Sequence, residues 1–215
     1  MIATAAVLIA AAPLRQLVYS FTVGINDSTR DSSMSNHDAY ENGQTSDMGT
    51  ITVDVTGVEG DGGLVLSVAE SGRNGRSVSP TECVVYANTN IMCGSVQLAP
   101  EESAVLRTLN PKFLDLSTLD DKNHWHIAPP GSGVTIDYSA AKGPTASTVA
   151  ITGTRDEKSS QTMIHSEMTY TYDASTVVPT QVQEYETIHA DQGARNSTTT
   201  IDVTAKLTSD SGVKH

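Results

Sequence analysis

Aromatic side chains are scarce. Two Phe, one Trp and seven Tyr make up 5% of the 215 residues, and Ser and Thr abound instead. That profile suits a sheet with one face in water better than a thick, two-sided core. Basic side chains are also few: 13 Lys and Arg stand against 25 Asp and Glu, a formal charge of -12. Such a field repels phosphate backbones and anionic headgroups, so nucleic-acid binding and basic-patch membrane binding are disfavoured. No apolar run approaches the roughly 20 residues of a membrane-spanning helix. The chain has no Gly-x-Ser-x-Gly elbow, no repeat of fixed period, no low-complexity tail and no interdomain linker,.

What is present is period-two alternation. Leu17, Tyr19, Phe21, Val23 and Ile25 occupy every odd position of a first strand,. Ile51/Val53/Val55 and Leu64/Leu66/Val68 mark two more around the turn Glu59-Gly-Asp-Gly-Gly63,. A three-strand meander runs from about Gln161 to Leu207, with Met168, Tyr170 and Tyr172 on one parity and Ile201, Val203, Ala205 and Leu207 closing it. Asn26 to about Thr45 is polar and reads either as strand extension or as a mobile loop. The glycines of 59–63 precede an alternating strand rather than a helix, which removes the phosphate-cradle reading.

One helix is expected over Ala99–Leu109. Pro100 sits in its first turn, Glu101 and Glu102 complement the positive end, and Leu98, Val105, Leu106 and Leu109 form the apolar stripe,. Phe113, Leu114, Leu116 and Leu119 continue that apolar cover. Beyond Asp120 come His124-Trp-His-Ile, then strands at Val134–Tyr138 and Val149–Ile151.

The N-terminal run Ile2–Ala12 resembles the apolar region of a secretory signal, with Ala10 and Ala12 as an A-x-A cleavage pattern,. No Lys or Arg precedes it and Pro13 follows it; a buried or fraying segment is the alternative. The expected division is a signal-peptide remnant at 1–12, one β-rich domain at 13–210 and a disordered tail at 211–215, with an extracytoplasmic location. The two cysteines, Cys83 and Cys93, flank an Asn-rich turn near Asn88–Asn90, where a hairpin sets them opposite each other as a structural disulfide,.

Two constellations carry chemistry. His124 and His126 are two apart in a strand and share a face; His165 with Glu167 repeats that spacing, so together they could ligate Zn²⁺ or Cu²⁺. The competing reading puts Trp125 and Ile127 in the core and leaves both histidines in water. Glu167, Glu184 and Glu186 could supply a glycosidase pair.

The order of elements resembles that of the periplasmic lipoprotein carriers and their mycobacterial lipid-binding relatives: an exported chain, several strands, a Pro-started helix, a Trp-bearing strand and a closing meander. The likeness covers about 14–210 and rests on topology, with no diagnostic motif. It implies a curved, unclosed antiparallel sheet with helices over the concave face, and acyl chains carried in the concavity.

The expectation is therefore a mainly β protein: one large curved antiparallel sheet, a half-barrel or open barrel, with one amphipathic helix packed on it. A helix of about 16 Å covers only part of the apolar face, so a groove for a hydrophobic ligand (a lipid or acyl chain) is expected among Tyr19, Phe21, Leu66, Leu106, Met168, Tyr170, Tyr172 and Val203. A structural or cell-surface β protein without a ligand is the second reading; a metal-binding protein or hydrolase is the third. No cofactor and no catalytic role are expected.

Overall fold

The computed structural model describes residues 13–32, 39–72, 77–87, 90–110 and 124–212. The signal segment expected at 1–12, the apolar cover expected at 113–119 and residues 213–215 of the expected tail lie outside the described residues.

The first described strand of the chain lies next to the middle of the sheet. In chain order the elements are β1 (Arg15–Asp31), β2 (Ala39–Val58), β3 (Leu64–Gly72), β4 (Ser77–Val85), β5 (Ile91–Met92), α1 (Pro100–Thr108), β6 (His124–Ile127), β7 (Val134–Lys142), β8 (Thr148–Lys158), β9 (Thr162–Asp173), β10 (Val178–Asp191) and β11 (Arg195–Asp210). They form one antiparallel sheet in the order β5-β4-β3-β2-β1-β11-β10-β9-β8-β7-β6. Each wing is a meander, and pairing of β1 with β11 joins the wings. The sheet is open; its edges are β5 and β6, of two and four residues.

Odd positions of β1 point inward, as the alternation predicts: Leu17, Tyr19, Phe21 and Val23 are buried. Ile51, Val53, Leu66, Val68, Ile151, Met168, Tyr170, Tyr172, Val182, Val203 and Ala205 join them in one core cluster. Register shifts at Val18/Tyr19, Val55/Gly57, Val68/Glu70 and Pro179/Gln181 break the ladders and bend the strands there,. Gly153 has no side chain because Tyr138 fills the space. A Cβ there would lie 2.4 Å from the Tyr138 ring.

The helix lies across the middle of the inner face, against β11, β10, β1 and β5. Ala104, Val105, Leu106 and Leu109 are buried beneath it. Nine residues give about 13 Å of helix,, whereas the 17 residues of β1 span about 56 Å,. The sheet consequently outruns its cover. From Asn26 onward β1 loses its alternation, and Glu41–Ser46 of β2 are exposed throughout. The polar stretch from Asn26 to about Thr45 is thus strand over most of its length, pairing β1 to β2 as far as Asp31–Ala39.

Two covalent and ionic ties fix the ends of this arrangement. Cys83 and Cys93 are bonded, S–S 2.05 Å, and tether the short β5 to β4. Arg15 at the start of β1 donates Nε and Nη2 to Asp210 at the end of β11, at 2.9 and 2.6 Å.

Candidate functional site

The inner face is not uniformly apolar. Alternation places Glu184 and Glu186 of β10 on the core parity, beside Val182 and Ile188. Across the strands, Glu184 is in register with Met168 on one side and Val203 on the other. Glu186 is in register with Ser166, which is in register with Arg155 of β8. A polar inset therefore crosses three strands just beyond the densest part of the core.

Arg107, in the last turn of α1, reaches down to this inset. Its Nη2 and Nε donate to Glu184 Oε1 and Oε2 at 2.6 and 3.3 Å. The two side chains are 14% and 3% exposed, so the pair is shielded and two-pronged, the stronger class of charged hydrogen bond. Burial works against the arginine's charge, but the facing Glu184 carboxylate outweighs it and holds the guanidinium above its ordinary range. Glu186 accepts from Ser166 Oγ at 2.9 Å and from Arg155 Nη1 at 3.5 Å, while Arg155 Nη2 also pairs with Glu157.

Beside this network lies a cleft of about 260 Å³ between the approach to α1 and the sheet. Leu98, Ile188, Ile201 and Val203 give it apolar walls; Ser103, Arg107, Arg155, Glu184 and Glu186 give it a polar end. The helix is anchored above it by local chemistry. Glu102 is buried and folds back so that its Oε2 accepts from the Ala99 N–H at 2.8 Å, the return half of a capping box whose forward half the Ala99 side chain has no acceptor to make. Tyr172 donates its hydroxyl to the Thr108 carbonyl at 2.6 Å. Tyr19 donates its own to the Pro179 carbonyl at 3.0 Å. Burial pushes the hydroxyls of Tyr19, Tyr138, Tyr170 and Tyr172 far above the ordinary phenol range, so all four stay neutral.

Of the eight residues expected to line a groove, Val203 does so here. Tyr19, Leu66, Leu106, Tyr170 and Tyr172 are fully buried in the core, and Phe21 and Met168 nearly so. Arg107 and Arg155 escaped the sequence reading, and Glu184 and Glu186 entered it only as a possible carboxylate pair, because charged side chains beside an alternating pattern look solvated. The i, i+2 placement of Glu184 and Glu186 on the parity of Val182 and Ile188 was the available signal.

The histidines lie on the opposite, outer face, while half-buried Trp125 and buried Ile127 point inward beside Tyr138 and Ile136. His124 Nδ1 is 2.8 Å from Ser139 Oγ, and His126 Nδ1 is 2.7 Å from Asp137 Oδ1. His165 pairs instead with Asp156 at 2.8 Å. It sits on β9, three strands from β6, or about 14 Å away,, so the structure does not bring His165 to the other two. Among the described residues, no group of three His, Cys, Asp or Glu side chains is placed to hold a metal ion. Glu167 also points outward, away from Glu184 and Glu186, which are engaged by the two arginines.

No family model matches this chain, and no curated protein matches it in sequence. Among solved structures it is similar to a chain described as showing lipid–protein interactions in lipovitellin, with TM-score 0.48 and 8% identity over 94% of this chain and 26% of that one. This chain thus spans about a quarter of that protein's length. A second likeness is to Ail, the attachment invasion locus protein of Yersinia pestis, with TM-score 0.22 and 6% identity, covering 89% of this chain and 97% of that one. At such scores neither likeness bears on function.

Proposed function

We propose that the protein is an extracytoplasmic, non-catalytic binding protein that holds a small molecule with an apolar body and a polar end in the cleft between α1 and strands β10 and β11. The carrying observation is the cleft itself, whose Leu98, Ile188, Ile201 and Val203 walls stand next to the Arg107, Arg155, Glu184 and Glu186 cluster. Binding sites join mostly apolar walls to a few placed polar groups in this way. At about 260 Å³ the space lies just below the ~300 Å³ lower end of ligand pockets, which favours one short acyl chain or a compact amphiphile over a two-chain lipid. The core tyrosines fill the rest of the inner face. The acids are held by guanidinium groups, an arrangement that serves positioning rather than proton transfer.

The test is organic extraction of the purified protein with mass spectrometry of the extract, alongside titration with an environment-sensitive apolar dye. Recovered amphiphile, and a fluorescence gain abolished by Ser103→Trp or Leu98→Asp in variants that retain the β-sheet circular dichroism signal, support the reading. A clean extract with no dye response refutes it.

A second reading, a structural or surface-display β protein without a small-molecule ligand, is favoured by the uncovered part of the sheet. Glu41–Ser46 and Asn26–Ser28 are exposed on both faces of paired strands, which is more sheet than a binding cleft needs.

A further inference from the structure

The outer face carries a feature that neither reading uses. Three depressions, of about 650, 480 and 340 Å³, lie side by side on it. Thr152 and Thr154 line both the 340 and the 480 Å³ depressions, and Thr204 lines both the 480 and the 650 Å³ ones. They follow one cross-strand ladder. Ser139, Thr152, Thr169, Gln183, Thr204 and Thr22 are successive partners from β7 to β1. His124 begins the ladder on β6 and Met48 ends it on β2. Eight strands at about 4.8 Å spacing make a trough about 34 Å long, running perpendicular to the strands.

Its centre has a definite chemistry. Tyr185 is 46% exposed and is in register with Glu167 on one side and Asp202 on the other. Gln183, two residues along on the same face, lies between Thr169 and Thr204. An aromatic face that can stack on the C–H face of a sugar ring is thus flanked by two carboxylates that accept hydrogen bonds from hydroxyl groups. Beside it are an amide and two hydroxyls that both donate and accept. The trough floor is sheet interior whose backbone groups are already paired, so an extended peptide finds no strand edge there. A protein partner needs an apolar centre; the large exposed apolar groups here, Tyr185 and Met48, stand three strands, about 14 Å, apart,. Charge selects further: Glu167 and Asp202 in the trough, on a chain of formal charge -12, repel acidic polymers.

We propose that this trough binds a linear glycan without acidic groups, laid across the strands with one sugar ring on Tyr185 and its hydroxyls on Glu167 and Asp202. The site is independent of the inner cleft.

The experiment is calorimetric titration of the full chain with cellohexaose, chitohexaose, maltohexaose and mannohexaose, with an alginate hexamer as the acidic comparator. At least one neutral hexasaccharide binds and the alginate does not. Tyr185→Ala lowers that affinity about tenfold, Asp202→Asn lowers it less, and Tyr185→Phe retains it. These side chains are surface ones, and unchanged circular dichroism verifies the fold. Leu98→Asp, on the inner face, leaves glycan binding intact, which separates this site from the cleft. Failure of all four neutral glycans to bind overturns the proposal, as does wild-type affinity in Tyr185→Ala. Sedimentation showing a dimer that Tyr185→Ala dissolves also overturns it, because the face is then an interface between copies.

Discussion

The ion pair beneath α1 permits a quantitative test of how the helix is held. Arg107 and Glu184 are 14% and 3% exposed and meet through two hydrogen bonds, the shorter 2.6 Å. Breaking a pair of this kind by removing one partner strands the other charge at low dielectric, which costs about 3–5 kcal/mol. The adjoining cleft lets some water reach the site, so the lower figure, about 3 kcal/mol, is expected for Arg107→Met and for Glu184→Met. In a chain of this length a loss of that size lowers the melting temperature by about 6–12 °C.

The double variant Arg107→Met/Glu184→Met strands nothing and places two apolar side chains against Met168 and Val203. It is expected to cost no more than either single variant, which sets the coupling between the two residues near 3 kcal/mol. Urea denaturation of all four proteins measures the cycle through midpoints and slopes. Single variants costing under about 1 kcal/mol, or a double variant costing the sum of the singles, would show that the pair is solvated and that α1 is held by apolar contacts alone.

Three further outcomes are expected. Reducing Cys83–Cys93, which closes a loop of sequence separation 10, should destabilise the protein by about 3 kcal/mol through the freedom returned to the unfolded chain; an unchanged melting curve under reductant contradicts this. Asp210 is held below the usual carboxylate range by its hydrogen bond to Arg15. Its stabilisation is therefore complete above the unfolded value of about 3.9 and is lost as pH falls through the lower folded value. Asp210→Asn should then be less stable than the parent at pH 7 by a margin that shrinks in acid, and a margin that grows in acid rejects the assignment. Val177 has φ 53 in the tight turn between β9 and β10, a conformation costly for a β-branched residue. Val177→Asn should raise stability by about 1 kcal/mol, with thermal denaturation as the measurement.

Strand parity was legible in the sequence wherever one face is buried and the other wet. Leu17 to Val23, Met168 to Tyr172 and Ile201 to Ala205 all point inward as their alternation indicates. The helix was legible too, from Pro100 at its start and from Val105, Leu106 and Leu109. Pairing order was less accessible: nothing local to β1 says that its partner is β11, about 180 residues later, because that pairing follows from closing two wings. The length of β1 and β2 was hidden for another reason. Where both faces meet water, as at Asn26–Ser28, neither parity need be apolar, and a strand then reads like a loop.

The candidate site was hidden by the same physics. A Glu on an alternating strand is ordinarily solvated, so the parity that Glu184 and Glu186 share with Val182 and Ile188 is a faint mark of facing the core; their burial depends on Arg107 arriving from α1 and Arg155 from two strands away. A polar inset of this kind is expensive unless every charge is met. It specifies where the helix sits, because sliding α1 by one turn, about 5.4 Å, would carry Arg107 off Glu184. The apolar stripe alone tolerates such a slide, since Leu98, Val105, Leu106 and Leu109 offer contacts at neighbouring turns. The arginine–glutamate contact thus fixes the position of the helix that walls the cleft, and with it the cleft's width. A Glu184→Gln protein that keeps its fold should bind apolar dye with altered affinity even though the apolar walls are untouched. Unchanged dye affinity in that variant would separate the ion pair from the shape of the cleft.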